Sequence, residues 1–202
     1  QPLIAGTVVD KEVLAVLEQT AKQLEDMGHR VVPAEPNINI EQFWHDFMVV
    51  VCTHTAFTID DIERHYGAHH VKKLEPQTQN MALLGRSLSA VDLAHAKQGW
   101  HNSQYQTGLL LETYDMILCP TVPTPAVKHG VLPPSVMDEM LMRSAELLNK
   151  SIDMGKYAFS SGMIEKLSHP VLSKMAFTLL GNVTGLPAVS VPVGMSKKGL
   201  PI

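Results

Sequence analysis

The sequence predicts an α/β protein with a helix-rich layered fold and a short mixed sheet. Three segments support this prediction: a helix followed by a short strand over residues 10–33, an apolar strand at 116–119, and another strand at 188–191 between two prolines. Helix-to-strand units of this kind are typical of layered α/β domains. With 202 residues and no internal repeat or linker-like tract, residues 1–202 are predicted to form a single unit.

The first helix has clear start and stop signals. Asp10 is a good N-cap, and apolar residues recur after it at helical spacing. Gly28 occupies the position after the helix end, where helices commonly terminate with a residue in the left-handed conformation. The valine-rich residues 30–33 then read as a short strand.

Two further helices are predicted before the middle of the chain. Residues 40–66 carry apolar side chains at helical spacing and are predicted to form a helix, although their Val-Val-Val-Cys core is also compatible with a strand. Ser89 and Asp92 form the start signal of a helix that is predicted to reach about residue 113.

The second half is predicted to alternate strands, proline-rich loops and helices. The strand at 116–119 ends at Pro120, and a methionine-rich helix is expected to begin near Pro133. Pro170 is placed in the first turn of another helix that reaches about Leu180.

Composition excludes several classes of protein. Hydrophobic residues make up 45% and charged residues 18%, which excludes disorder as the main state. The net charge of −4 argues against a nucleic-acid partner. The longest apolar run, residues 47–52, is far shorter than the roughly 20 residues that span a membrane, so no membrane partner is predicted.

The cysteines and the chain ends support two further predictions. Two cysteines without CxxC spacing favour a reducing, cytoplasmic compartment over a disulfide framework. The chain begins with Gln1 and ends without a polar tail, which predicts that both ends are cut from a longer protein.

The histidines between residues 63 and 70 suggest the hypothesis of a metal-binding site. His65 and His69 have the i, i+4 spacing that lets two imidazoles share a cation. Gly67 weakens the helix between them, however, and no HExxH motif is present. We therefore interpret the cluster as a solvated polar face, and predict neither a metal nor a cofactor.

One serine pair was considered as a nucleophile. Ser160 and Ser161 precede Gly162, and Lys156 lies four residues before Ser160. Serine–lysine catalysis requires a buried lysine and several backbone donors around the reacting oxygen. Only one glycine is adjacent, so the pair is predicted to be a loop or helix cap. From chemistry alone, the sequence contains no convincing active site.

Three motifs, in order, resemble those of the amidase signature family. They are Gly-Arg-Ser-Leu-Ser-Ala-Val-Asp at 85–92, Tyr-Asp-Met-Ile-Leu-Cys-Pro-Thr at 114–121, and Asn-Val-Thr-Gly-Leu-Pro-Ala at 182–188, the last followed by Ser-Val-Pro and Gly-Leu-Pro turns. Residues 10–33 also fit the family's preceding segment. The resemblance covers nearly the whole chain and implies the C-terminal part of the amidase signature fold.

The resemblance also implies a reaction. Members cleave carboxylic amides through an acyl-enzyme formed by a Ser-Ser-Lys group, which lies in an upstream glycine- and serine-rich region. Nothing like that region occurs in this sequence, so no catalytic residue is carried over and the chain alone is expected to be inactive. Its expected partners are the upstream catalytic half in cis and a small linear or cyclic amide as substrate.

The resemblance implies two candidate substrate-binding residues. Thr178 and Asn182 lie where a helix turns into the motif loop, and are predicted to form part of an acyl-pocket wall. Gly181 is smaller than the aromatic residue expected at that position, which leaves the shape of the pocket open.

Two other functions remain open from the sequence. One is a non-catalytic interaction module, and the other is part of a tRNA-dependent amidotransferase subunit. In an amidase, the strands at 116–119 and 188–191 would pair with strands of the upstream region. Without them, the chain alone is expected to self-associate as a homo-oligomer or to fold with low stability.

Overall fold

A computed structural model describes residues 2–128 and 154–202. The predicted methionine-rich helix after Pro133 lies outside the described residues. The described helices are α1 (Lys11–Asp26), α2 (Ile40–Tyr66), α3 (Ala68–Val71), α4 (Pro76–Arg86), α5 (Ala90–Leu111), α6 (Met154–Ser160), α7 (Met163–Leu172) and α8 (Leu179–Thr184), with a 3₁₀ turn at Ser173–Met175.

Helix α1 begins and ends where its sequence signals predict. The Asp10 carboxylate accepts a hydrogen bond from the Glu12 backbone N–H at 2.8 Å. Gly28 follows the helix with φ of 97°, a conformation that residues with a Cβ rarely adopt. Both predictions about this helix are confirmed.

Residues 40–66 are one continuous helix, which settles the ambiguity between helix and strand. Its buried residues at intervals of three or four positions form one helical face: Val49, Cys52, Ala56 and Ile59. The Val-Val-Val-Cys core is therefore part of α2, because packing of this face overrides the strand preference of β-branched residues.

Helix α5 starts with a reciprocal pair of hydrogen bonds. The Ser89 backbone N–H donates to the Asp92 carboxylate at 2.7 Å, and the Asp92 N–H donates to the Ser89 hydroxyl at 3.1 Å. This arrangement satisfies backbone donors that the first helical turn leaves without partners. The predicted start is confirmed, and the helix ends at Leu111, two residues before the predicted end.

The short mixed sheet is not found in residues 2–128 and 154–202. Residues 30–33, 116–119 and 188–191 were predicted as strands, but none of them belongs to one. A strand is defined by hydrogen bonds to a neighbouring strand, which an apolar segment cannot supply by itself. The β-pairing found in residues 2–128 and 154–202 is an isolated antiparallel bridge between Met195 and Pro201.

That bridge belongs to a small hairpin near the end of the sequence. Gly194 and Ile202 exchange two backbone hydrogen bonds at 2.9 and 3.1 Å. The Ser196 N–H donates to the Leu200 carbonyl at 2.8 Å, and Gly199 makes the reversal with φ of 73°. The Gly-Leu-Pro motif therefore closes a tight turn.

The prediction for Pro170 is wrong. Pro170 lies inside α7, which begins at Met163, well before the proline. Ile164 is buried, so packing extends the helix on the N-terminal side. Proline removes the backbone donor to the residue four positions earlier, and the chain tightens into the 3₁₀ turn Ser173–Met175 soon afterwards.

The described residues fall into two compact units. The first comprises residues 2–43, 100–128 and 168–202, and the second comprises 44–99 and 154–167. In the first unit, backbone hydrogen bonds join Leu3 to Ala176 at 2.9 Å and Asp10 to Pro123 at 2.8 Å.

The second unit has a core of closely packed helices. Ala56, Ile59 and Ala82 are buried together, and Val71 and Leu74 pack against them. Helix α4 approaches α2 at Gly85, which faces the backbone carbonyl of Cys52. Among the described helices, none has the length and apolar character needed to cross a membrane.

Candidate functional site

The predicted site residues lie on a short helix of the first unit. Helix α8 ends at Thr184, and Gly185 caps it in the left-handed conformation, with φ of 69° and ψ of 13°. The Gly185 N–H donates to the Gly181 carbonyl at 2.9 Å. Glycine suits this turn, because a side chain is disfavoured in the left-handed conformation.

The structure brings Thr178 and Asn182 together. Thr178 precedes the first residue of α8 and Asn182 lies one turn later, a spacing that places both on one helix face. The Asn182 side-chain amide donates to the Thr178 carbonyl at 3.4 Å, and the Thr178 hydroxyl donates to the Met175 carbonyl at 3.2 Å. Both side chains are exposed, so solutes can reach them.

A side chain of helix α5 holds the end of α8 in position. The Gln104 side-chain amide donates to the Val183 carbonyl at 2.9 Å. Val183 and Leu179 are buried, so one side of α8 is packed while Thr178 and Asn182 remain accessible.

Gly181 allows the chain after α8 to pack closely against the helix. A Cβ placed at Gly181 would lie 3.4 Å from the Ala188 Cβ, within ordinary van der Waals contact. A methyl group therefore fits this space.

Two residues that the sequence interpretation did not single out lie close together. The hydroxyls of Thr121 and Ser190 share a hydrogen bond at 2.7 Å, and both are exposed. Thr121 lies two residues after the predicted strand at 116–119, and Ser190 lies inside the one at 188–191, 69 positions away. Motif membership was the available signal, but their contact depends on the tertiary fold.

These groups suit binding better than nucleophilic attack. Hydroxyl and carboxamide groups both donate and accept hydrogen bonds, as does an amide substrate. The Thr178 hydroxyl bonds to a backbone carbonyl, and the Thr121 and Ser190 hydroxyls bond to each other, so neither contact pairs a hydroxyl with a side chain that would act as a base.

The serine pair has contacts typical of a helix end. The Ser160 hydroxyl donates to the Tyr157 carbonyl at 3.1 Å, and the Ser161 hydroxyl contacts the Ala158 carbonyl at 3.4 Å. Lys156 is exposed, whereas the lysine of a serine–lysine pair has to be buried. These contacts support the prediction of a helix cap, with Gly162 at φ of 69° completing the turn.

His65 and His69 do not share a helix face. Gly67 adopts φ of 89° and separates α2 from α3, so the two histidines lie on different helices. The His65 ring contacts the Asp61 carboxylate at 3.2 Å, and the His69 and His70 rings lie 3.8 Å apart. Within residues 2–128 and 154–202, no three metal-ligating side chains come together.

The two cysteines have contrasting surroundings. Cys52 is buried in α2, and burial raises the pKa of its thiol to about 12. A thiol in this environment is a packing group rather than a nucleophile. Cys119 is exposed at the end of the 116–119 segment.

A family model described as Amidase matches residues 4–152, which is most of the chain. The chain belongs to the Amidase family. The resemblance drawn from the three sequence motifs is thereby confirmed.

Relatives with assigned names agree with this family. An amidase of Pseudomonas putida is 23% identical over 192 residues, covering 95% of this chain and 34% of that protein. The 6-aminohexanoate-cyclic-dimer hydrolase of Paenarthrobacter ureafaciens is 27% identical over 214 residues, covering 98% of this chain and 37% of that protein.

A solved structure has the same fold over almost the whole chain. The structure of a 6-aminohexanoate cyclic dimer hydrolase matches with a TM-score of 0.72 and 23% identity, covering 99% of this chain and 38% of that one. The chain therefore has an amidase-type hydrolase fold, and spans a little over a third of the length of the relatives it matches.

Proposed function

We propose that residues 1–202 form the C-terminal part of a larger amidase domain whose parent enzyme hydrolyses a carbon–nitrogen bond in a carboxylic amide. The observation that carries this proposal is the Amidase family match over residues 4–152. The shared fold over 99% of the chain supports it.

The proposed reaction passes through an acyl-enzyme. A serine oxygen attacks the amide carbonyl carbon, the C–N bond breaks, and the amine leaves with a proton delivered by the serine–lysine relay. Water then attacks the ester and releases the acid and the serine. We place the Ser-Ser-Lys group outside residues 1–202. We therefore expect this chain alone to have no amidase activity.

The contribution of this chain is one wall of the acyl pocket. Thr178 and Asn182 present a hydroxyl and a carboxamide side by side on an accessible helix face. The Thr178 hydroxyl already donates to a carbonyl, so it would accept a hydrogen bond from substrate. The Asn182 carbonyl oxygen would also accept one.

The proposed substrates are small non-peptide amides, linear or cyclic. Two relatives are named for hydrolysis of the cyclic dimer of 6-aminohexanoate, and another is named an amidase. Gly181 has no side chain, and in this proposal that leaves space beside Thr178 and Asn182 for an extended or ring-shaped acyl group.

A chimera tests the proposed function. In it, this chain replaces the matching region of the Paenarthrobacter hydrolase, and hydrolysis is measured with aryl amides, alkyl amides and the 6-aminohexanoate cyclic dimer. We expect amide hydrolysis by the chimera and none by this chain alone. A folded, monodisperse chimera that hydrolyses none of these amides would contradict the proposal and favour the interaction module.

Substitutions in the chimera test the pocket residues. Thr178→Ala and Asn182→Ala each remove one hydrogen bond to substrate and should lower kcat/KM about 2- to 10-fold. Matched controls are Thr113→Ala and Asn102→Ala, which change exposed residues of the same types elsewhere in the first unit. If all four variants keep the parent rate, Thr178 and Asn182 do not contact substrate.

A further inference from the structure

A groove of the second unit is lined by residues of three helices and contains neither Thr178 nor Asn182. It lies between α2, α3 and α4, has a volume of about 100 Å³ and is partly open to solvent. Its lining combines apolar side chains with side chains that donate hydrogen bonds: Ile59, Val71, Gln79, Asn80, Leu83 and Arg86. All six belong to the second unit. We call this site the α2–α4 groove.

The apolar part of the α2–α4 groove is fixed by the core of the second unit. Ile59 is 2% exposed and belongs to the buried cluster with Ala56 and Ala82, and Val71 packs against that cluster. Leu83 is half-buried on α4, next to Ala82. Apolar walls that the core holds in place suit the carbon atoms of an aliphatic ligand.

The polar part of the groove has hydrogen-bond donors available for a ligand. Arg86 donates from one terminal nitrogen to the Asp60 carboxylate, and within residues 2–128 and 154–202 its side chain makes no other hydrogen bond. A guanidinium has five N–H donors, so most of them remain for a ligand. The Asn80 carboxamide has no hydrogen bond in the described part of the chain, and the Gln79 side-chain amide donates to the Leu74 carbonyl at 2.8 Å.

Two of the three walls of the groove carry positive charge. Residues 67–73, which contain α3 and supply Val71, include two lysines and no acidic residue. Helix α4 includes Arg86 and no acidic residue. On α2, the Asp60 carboxylate is already paired with Arg86. The groove therefore favours an anion, although the whole chain has a net charge of −4.

We propose that the α2–α4 groove binds a short aliphatic carboxylate. The carboxylate accepts hydrogen bonds from Arg86 and Asn80, because a guanidinium matches the geometry of a carboxylate in a two-point contact. The carbon chain lies against Ile59, Val71 and Leu83. A volume of about 100 Å³ holds about three water molecules at roughly 30 Å³ each, which suits a chain of about four carbons. The inference does not rest on the proposed function, since it concerns binding and no step of amide hydrolysis.

A ligand-observed NMR titration of this chain tests the proposal, with butyrate as the probe and ionic strength held constant. We expect a dissociation constant in the millimolar range, which is ordinary for so small a ligand. Butyramide has nearly the same shape without the charge, and acetate lacks the longer carbon chain. Each should bind at least about fivefold more weakly than butyrate. Equal binding of the three compounds would overturn the proposal.

Two substitutions with opposite expected effects test the contact with Arg86. Arg86→Gln removes the guanidinium and should weaken butyrate binding at least about fivefold, with little change for butyramide. Asp60→Asn removes the carboxylate that competes for Arg86 and should strengthen butyrate binding about 2- to 5-fold. Arg64→Gln is the matched control, because Arg64 is an exposed arginine of the same unit, and it should leave the affinity unchanged.

The signs of these effects distinguish the groove from general charge attraction. A loss of affinity in Arg64→Gln as large as that in Arg86→Gln would overturn the proposal, because binding would then follow net charge. Unchanged affinity in Asp60→Asn would also overturn it, since a ligand on Arg86 has to compete with Asp60. Far-UV circular dichroism verifies that each variant keeps its helices. If Arg86→Gln unfolds, Asp60→Asn still decides the question, because a gain of affinity is expected there.

Discussion

Gly85 and Gly108 are both helical glycines, yet their surroundings differ completely. A Cβ built on Gly85 would lie 2.1 Å from the Cys52 carbonyl oxygen, far inside van der Waals contact. A Cβ on Gly108 would meet nothing within 4 Å. Glycine is therefore required at 85 by the close approach of two helices, whereas at 108 it only weakens helix α5.

Alanine substitutions should separate these two roles. Gly85→Ala forces α4 away from the α2 backbone and is expected to lower the free energy of unfolding by about 1–3 kcal/mol. Gly108→Ala should raise it by about 0.5–1 kcal/mol through helix propensity. Urea unfolding followed by circular dichroism measures both. Equal effects of the two substitutions would show that the helices do not pack closely at Gly85.

Asp92 provides a pH-dependent contribution to the helix it caps. Hydrogen bonds from the Ser89 hydroxyl and then its backbone N–H hold the pKa of the Asp92 carboxyl below its usual value. A lowered pKa in the folded state means that the stabilisation is present above the unfolded pKa of about 3.9 and is lost as the pH falls through the folded value.

The Asp92→Asn variant should reveal this contribution. At pH 7 it is expected to lower the free energy of unfolding by about 0.5–1 kcal/mol, the ordinary range for an exposed helix cap. The difference from the unsubstituted protein should shrink below about pH 4, as Asp92 protonates. Asp115→Asn, at an exposed position outside the helices, is the control. A difference that is constant from pH 7 to pH 3 would contradict the role of the charge.

Helices were predictable element by element because their signals are local. The Asp10 cap, the Gly28 stop and the Ser89 start all act within a few residues, and each is found in the structure. Strands depend on a partner far away in sequence, and the predicted mixed sheet is not found in the described residues. Pro170 shows the same limit, because buried Ile164 extends the helix beyond the local signal.

At the scale of the whole molecule, the sequence motifs predicted the family. They predicted one contact of the candidate site and missed another. Thr178 and Asn182 are neighbours on one helix turn, so sequence spacing was enough to place them together. The contact of Thr121 with Ser190 spans 69 positions and could not be read from spacing. The exposure of Val189 could not be predicted either, because an apolar run has the same sequence pattern whether it is buried or exposed.

Labelling with a fluorophosphonate serine probe tests the central claim most directly. The claim is that this amidase-family chain contributes a pocket wall, while the nucleophile lies outside residues 1–202. Intact-mass measurement should find no adduct on this chain alone, and one adduct on the chimera at a serine contributed by the Paenarthrobacter portion. An adduct on the isolated chain that disappears in Ser161→Ala would contradict the claim and place the nucleophile at the end of α6.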